Sequence, residues 1–329
     1  MLSFLISIAI IVIIYSLLTL AMNIRWGFTG MLDFGIVGFF AIGAYTDAIL
    51  TTPPSEASVF GEVSVIGYGV PIWGGFLAAI VVSAVLAFII GIPSLRLRGD
   101  YLAITTIGLA EVIRFILVNE RWLTRGVQGI RNIPQPFSES FPANHKMLYF
   151  FALILIVGVF YFIAYRLRIS PLGRVFRGIR EDEVVTASLG KWIFSNQMLA
   201  FVIGAAIAGA AGSLWAHFAG SIQPNDFQSD VTFLIWVCLI IGGSGNNLGS
   251  FLGTVLVIGL FQQATRFLPA IPGHPQWIPA IRLMLVGLLL VITLRVRPQG
   301  LFPEKALNVE RLIVGKQDAE IPAVPAENT

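Results

Sequence analysis

The sequence predicts an all-α, polytopic membrane protein, and three observations carry that prediction. Of its 329 residues 56% are hydrophobic and only 12% charged, with a mean hydropathy of +0.84, outside the balance of a soluble globular domain. Charge-free runs at Val70–Leu95, Met147–Tyr165, Trp192–Asn225 and Val231–Thr265 each reach the roughly 18–20 residues that a helix needs to cross ~30 Å of hydrocarbon. Nowhere do short alternating segments of about ten residues recur, as they would in an outer-membrane barrel.

The first apolar run, Phe4–Ile24, is expected to stay as a span. It is too long for the apolar core of a signal peptide and has neither a basic leader nor a small-residue cleavage pattern. Further spans are expected near 30–50, 70–95, 101–118, 147–166, 198–220, 231–243, 249–266 and 279–296. That makes nine, or ten if the glycine-broken second region holds two half-helices. Orientation follows from Arg and Lys in the short loops. Arg166, Arg168, Arg174, Arg177, Arg180 and Lys191 mark one loop as cytoplasmic, as do the "RLRGD" turn at Arg96–Asp100 and the segment from Arg295. Thr51–Gly69 and Ser221–Asp230 carry only acidic charge and belong outside. Nine spans put the amino terminus outside and the carboxyl terminus inside; ten put both inside. The loop Asn119–Lys146 must lie outside despite four basic residues, and long loops obey the charge rule less well. Residues 1–302 are then the membrane domain and 303–329 a polar, flexible cytoplasmic tail.

An ionisable group within a span is costly unless paired or hydrated. Glu111 and Arg114 are three apart on one helix, so they are expected to form an intrahelical ion pair, a direct substrate role being the alternative. Asp47 reads as an interfacial residue near the outer end, whereas Asp33 falls where glycines make the backbone irregular. Two Gly-rich segments, Gly27–Tyr45 and Gly242–Gly259, occupy comparable places in the two halves. They serve either close helix packing or broken helices at a translocation path. On the path reading Asp33, Phe34, Gly35, Phe39, Ser244 and Asn246 line it.

Other chemistries fit poorly. "GGSG" at Gly242–Gly245 is the nucleophile pattern of an intramembrane serine protease, yet His145 and His274 lie in loops and His217 at the far end of its span, so no base is within reach. No Gly-x-x-x-x-Gly-Lys-Ser/Thr phosphate loop occurs. The lone Cys238 offers neither a disulfide nor a thiolate metal site. A pI of 9.2 reflects basic residues spread through short loops, not a nucleic-acid surface.

The charged stretch "SPLGRVFRGIREDEVVTASLG", Ser170–Gly190, has a Ser-Pro start and a glycine stop, the marks of one short cytoplasmic helix. Together with "NIRWGFTGMLDFGIVGFFAIGAY", "LRLRGDYLAITTIGLAEVIR", "GGSGNNLGSFLGTVL" and "RPQGLF", it resembles the permease subunits of branched-chain amino-acid ABC importers, the Liv type. The resemblance covers Asn23 to Phe302. It implies a type II-like importer permease fold with broken short helices, in a bacterial inner membrane. A paralogous permease subunit, two ATPase subunits that bind ATP and Mg, and a periplasmic substrate-binding protein are the implied partners. The chain itself is implied to hold no cofactor and to catalyse no covalent reaction. In the family the loop at about 167–190 docks the ATPase, so Arg177, Arg180, Glu181, Asp182, Glu183, Ala187 and Gly190 resemble the coupling element. "EVV" at Glu183–Val185 departs from the family's pattern, where alanines would follow. The implied substrates are branched-chain and other neutral amino acids, or urea and short amides in close relatives. With no long amino-terminal extension or large inserted loop, the chain is expected in the amino-acid branch.

Overall fold

The computed structural model describes residues 2–53, 67–97, 99–138, 141, 144–261, 263, 277–297, 299–302 and 304. Helix α1, Leu2–Met22, runs into a π-helical turn, Asn23–Phe28. The turn closes when Gly30 adopts φ +74°, a conformation that glycine adopts without steric cost, and when the Met31 N–H donates back to the Arg25 carbonyl at 3.1 Å. Residues up to Gly35 are non-helical, and α2, Ile36–Thr51, follows. Helices α3, Ile72–Ser94, and α4, Asp100–Asn119, are joined by the Arg96 turn. After α5, Arg121–Thr124, the strand β1, Ile130–Arg131, pairs antiparallel with β2, Ser221–Ile222. Helix α6, His145–Ile169, leads into α7, Pro171–Glu181, and α8, Glu183–Ser188. The chain ends with α9, Ile193–Ala219, α10, Ser229–Gly242, α11, Asn247–Thr254, continued as a π-helix over Val255–Phe261, and α12, Trp277–Val296.

Helix α9 is the axis of the bundle, packed by α2, α3 and α1. Its small residues let it be so: Ala205, Ala208, Gly209, Ala211 and Gly212 are all buried. A Cβ on Gly43 of α2 would fall on the Gly209 backbone, and one on Gly212 would fall on the Phe40 carbonyl. Helices in lipid gain little from apolar burial alone, and such close backbone approach is what holds them together.

Among the described residues five helices are long and apolar enough to cross a bilayer, six if a bent pair counts as one span. That count does not confirm the expected nine or ten, and three of the expected spans differ from straight crossings. The predicted span at 30–50 is a 16-residue helix after a non-helical entry, and 16 residues rise only ~24 Å. The predicted spans at 231–243 and 249–266 are α10 and α11, bent by 120° at the break between them, where Gly243 takes φ +106° and Gly245 φ +81°. The expected outer loop with Glu56 and Glu62 and, apart from Glu304, the polar tail lie outside the described residues.

Candidate functional site

Polar groups gather at the two helix breaks and at the charged loop. At the first break Arg25 is fully buried and ion-paired with Asp33, itself fully buried. The Arg25 guanidinium also donates to the Phe201 carbonyl at 2.9 Å and lies 4.9 Å and 4.3 Å from the ring centroids of Phe39 and Phe201. Asp33 accepts the Gly35 N–H at 2.8 Å, and its backbone carbonyl accepts the Trp236 indole N–H at 3.2 Å. The Phe34 N–H donates to Thr106 Oγ1 at 3.0 Å. Segment 29–35 is therefore tied to α9, α10 and α4 at once. Asp33, Gly35 and Phe39 face the packed interior, whereas Phe34 is half-buried and stacks on Trp236 at 4.9 Å, with the exposed Phe233 beside it at 5.6 Å.

The second break meets the first. Asn23 Oδ1 accepts the Gly245 N–H at 2.8 Å, and its amide donates to Asn247 Oδ1 at 3.0 Å. A Cβ on Gly27 would lie 2.6 Å from the Gly245 nitrogen, so the contact needs glycine at position 27. Ser244 is exposed, and Asn246 caps α11 through the Leu248 N–H while donating to the Phe302 carbonyl at 3.3 Å. The two Gly-rich segments thus touch, with Ser244 and Asn246 at the Arg-rich end and Asp33 and Phe39 in the interior.

The charged loop is two helices. Ser170 caps α7 and Asp182 caps α8, accepting the Val184 and Val185 N–H groups at 2.8 and 2.9 Å. Asp182 therefore interrupts what reads in sequence as one helix. Arg177 and Arg180 turn inward, while Arg174 stays exposed. Arg180 donates to the Gly27 carbonyl and to Glu304 at 2.8 Å, and Arg177 pairs with Glu304 at 3.4 Å and donates to the Arg168 carbonyl at 3.0 Å. Glu183 is half-buried and accepts the Gln197 amide at 2.9 Å. Glu181, Asp182, Ala187 and Gly190 stay exposed, as do Val184, Val185 and Leu189, the last at 73%.

Glu111 and Arg114 pair at 2.8 Å, and Ser229 donates to the other Glu111 oxygen at 2.8 Å. Asp47, read from the sequence as an interfacial residue near the outer end, is fully buried, and His217 Nε2 stands 2.7 Å from its carboxylate. His217 Nδ1 is 2.8 Å from the Pro134 carbonyl. Sequence reasoning missed this pair and the Arg25 partner of Asp33. For Asp33 a signal existed, since a carboxylate at a break needs a cation and Arg25 is the nearest along the chain. Among the described residues no cluster of three or more His, Cys, Asp or Glu could hold a metal ion.

Residues 4–294 match the family model described as the permease component of branched-chain amino acid transport systems. The chain belongs to that family. The high-affinity branched-chain amino acid transport system permease proteins LivM of Salmonella typhimurium and Escherichia coli are each 32% identical over 321 residues, 91% of this chain and 70% of the relative. A probable LivM of Methanocaldococcus jannaschii is 28% identical over 327 residues, 89% and 92%. LivH permease proteins of the same transport system are similar at 22–23% identity. No solved structure matches the chain.

Proposed function

We propose that the chain is a membrane-spanning subunit of an ATP-driven importer for branched-chain and other neutral amino acids in the inner membrane. It forms half of the path beside a paralogous permease and receives substrate from an external binding protein. The segment at about 167–190 docks an ATPase that supplies the energy. One structural observation carries the docking: α8 and the Leu189 that ends it expose Val184 (71%), Val185 (56%) and Leu189 (73%) beside Glu181 and Asp182, in the most basic loop of the chain. The excess of Arg in that loop puts it on the cytoplasmic side, out of the hydrocarbon, so an apolar patch rimmed by charge there suits a protein partner. With Arg177 and Arg180 turned inward, they secure the element while the Val-Val-Leu face makes the contact. On the path side, Phe34 with Phe233 and Trp236 offers the apolar wall a branched side chain would slide along, and Asp33, Gly35 and Phe39 hold that wall in place.

The test is the assembled importer. Val185→Asp is expected to abolish co-purification of the ATPase subunit and leucine uptake while the chain still elutes as a folded species. Undiminished association and uptake would sink the docking assignment, and uptake of urea in preference to leucine would sink the substrate assignment.

A further inference from the structure

Helix α4 is long and apolar enough to cross the bilayer, yet most of it is left uncovered by the rest of the chain. Its mid-span charges share that exposure, for the Arg114 and Glu111 side chains are a quarter to a third exposed. Ionisable groups at that depth face a bundle interior or a water-filled path, because hydrocarbon solvates neither. Glu111 is held from two helices: Arg114 Nε donates to one carboxylate oxygen at 2.8 Å, and the Ser229 hydroxyl of α10 donates to the other at 2.8 Å. A carboxylate has about four lone-pair positions, so each oxygen can accept again. Among the described residues Arg114 donates through Nε alone, while a guanidinium carries four further N–H groups.

The pair also has an apolar neighbour. Phe233 follows Ser229 by one turn of α10, about 6 Å along the axis, and its ring lies 5.6 Å from that of Phe34. Ser229 opens α10, and Gly242, which closes it, lies at the Arg-rich break. The polar trio therefore stands on the outer side of the aromatic wall, close enough for one aliphatic amino acid to touch both. We propose that Glu111, Arg114 and Ser229 form an outer station of the path, which takes the charged head of a zwitterionic amino acid while its side chain rests on Phe233 and Phe34. The substrate carboxylate meets the terminal N–H groups of Arg114, and the ammonium meets Glu111. An ion pair has no net charge, so a simple anion or cation is attracted by one partner and repelled by the other. A zwitterion laid antiparallel to the pair is attracted at both ends. The station deepens the import reading above and rests on it.

The complete importer in lipid nanodiscs, irradiated with photo-leucine, whose side chain carries a diazirine, reads the station directly. Mass spectrometry of the digested chain is expected to find the label on Phe34 or Phe233, displaced by excess leucine. The des-amino form of the probe should leave both rings unlabelled. These two probes decide the matter on the wild type without any substitution. Arg114→Gln and Glu111→Gln should each lower photo-leucine labelling about tenfold or more, the loss expected for one charge-assisted contact. Arg114→Lys, which keeps the charge, should retain most of it. Label only elsewhere in the chain, equal labelling by the des-amino probe, or undiminished labelling in both neutral variants overturns the station. Uptake of radiolabelled leucine by the same particles decides the import reading separately. Uptake without label at the two rings refutes the station and leaves the import reading standing, whereas label at the rings without uptake refutes import and keeps the binding site.

Discussion

The Arg25–Asp33 pair gives a prediction whose size follows from its surroundings. Arg25→Met removes the cation, one hydrogen bond and two ring contacts, and it leaves the Asp33 carboxylate fully buried with the Gly35 N–H as a donor. Breaking a buried ion pair from one side costs about 3–5 kcal/mol, and an unpaired charge at the middle of a span costs about 2.5–3.5 kcal/mol on insertion scales. Both routes put the loss near ~3 kcal/mol. Asp33→Asn, which strands the guanidinium instead, should lose a similar amount. The double variant carries no buried charge, so its loss should fall short of the sum by about 2 kcal/mol, within the range found for groups in direct contact. The assay is the fraction folded against denaturing detergent in mixed micelles, followed by tryptophan fluorescence, for which Trp236 is a local reporter through its bond to Asp33. Losses that simply add, within about 0.5 kcal/mol, would show that the two side chains do not act as a pair.

Two further outcomes follow from the packing. Gly209→Ala places a methyl group against Ser83 and the Ala79 carbonyl; forced overpacking of this kind costs about 1–3 kcal/mol, so the melting temperature in detergent should fall, and an unchanged one contradicts the α3–α9 contact. Glu304→Gln weakens the partner that Arg177 and Arg180 share; these side chains are a fifth to a quarter exposed, so the loss is about 1 kcal/mol. That is roughly fivefold in local opening, read as faster amide exchange at α7 and at Gly242–Asn247, and exchange at the wild-type rate would mean that Glu304 anchors neither.

The long spans were legible because hydropathy adds up along a continuous apolar run. The last helix, expected at 279–296, is found at 277–296, and α3 and α9 fall close to their expected limits. Hydropathy does not register whether an apolar run is straight, and so α2 and the α10–α11 pair read as full spans. Their brevity depends on the backbone at Gly30, Gly243 and Gly245, which in sequence is equally consistent with packing glycines. The polar site was half legible. Asp33, Asp47 and Glu111 stood out as charges in apolar surroundings, but their partners were visible only where a helical spacing supplied them, as for Glu111 and Arg114. Asp47 with His217, and Arg180 with Glu304, are brought together by the fold across more than a hundred positions. The burial of Arg177 and Arg180 was hidden for the same reason, since the carboxylate that draws them inward lies beyond the last span.

These polar contacts share a cause. Where glycine ends a helix inside a bundle, backbone carbonyls lose their helical partners, and in hydrocarbon each must find another. The Gly27 carbonyl finds Arg180 of α7, and the Asp33 carbonyl finds the Trp236 indole of α10. Each repair joins two elements that would otherwise touch only through apolar side chains. Arg180 consequently connects the helix next to the exposed α8 face with the π-helical turn that holds Arg25, and Arg25 connects that turn with Asp33 and the aromatic wall at Phe34. Apolar contacts slide with little directional preference, whereas a guanidinium bound to a carbonyl on one side and a carboxylate on the other resists displacement in several directions. On the proposed docking, a push on α8 would reach the break through these few directed bonds. Apolar packing alone would dissipate that push.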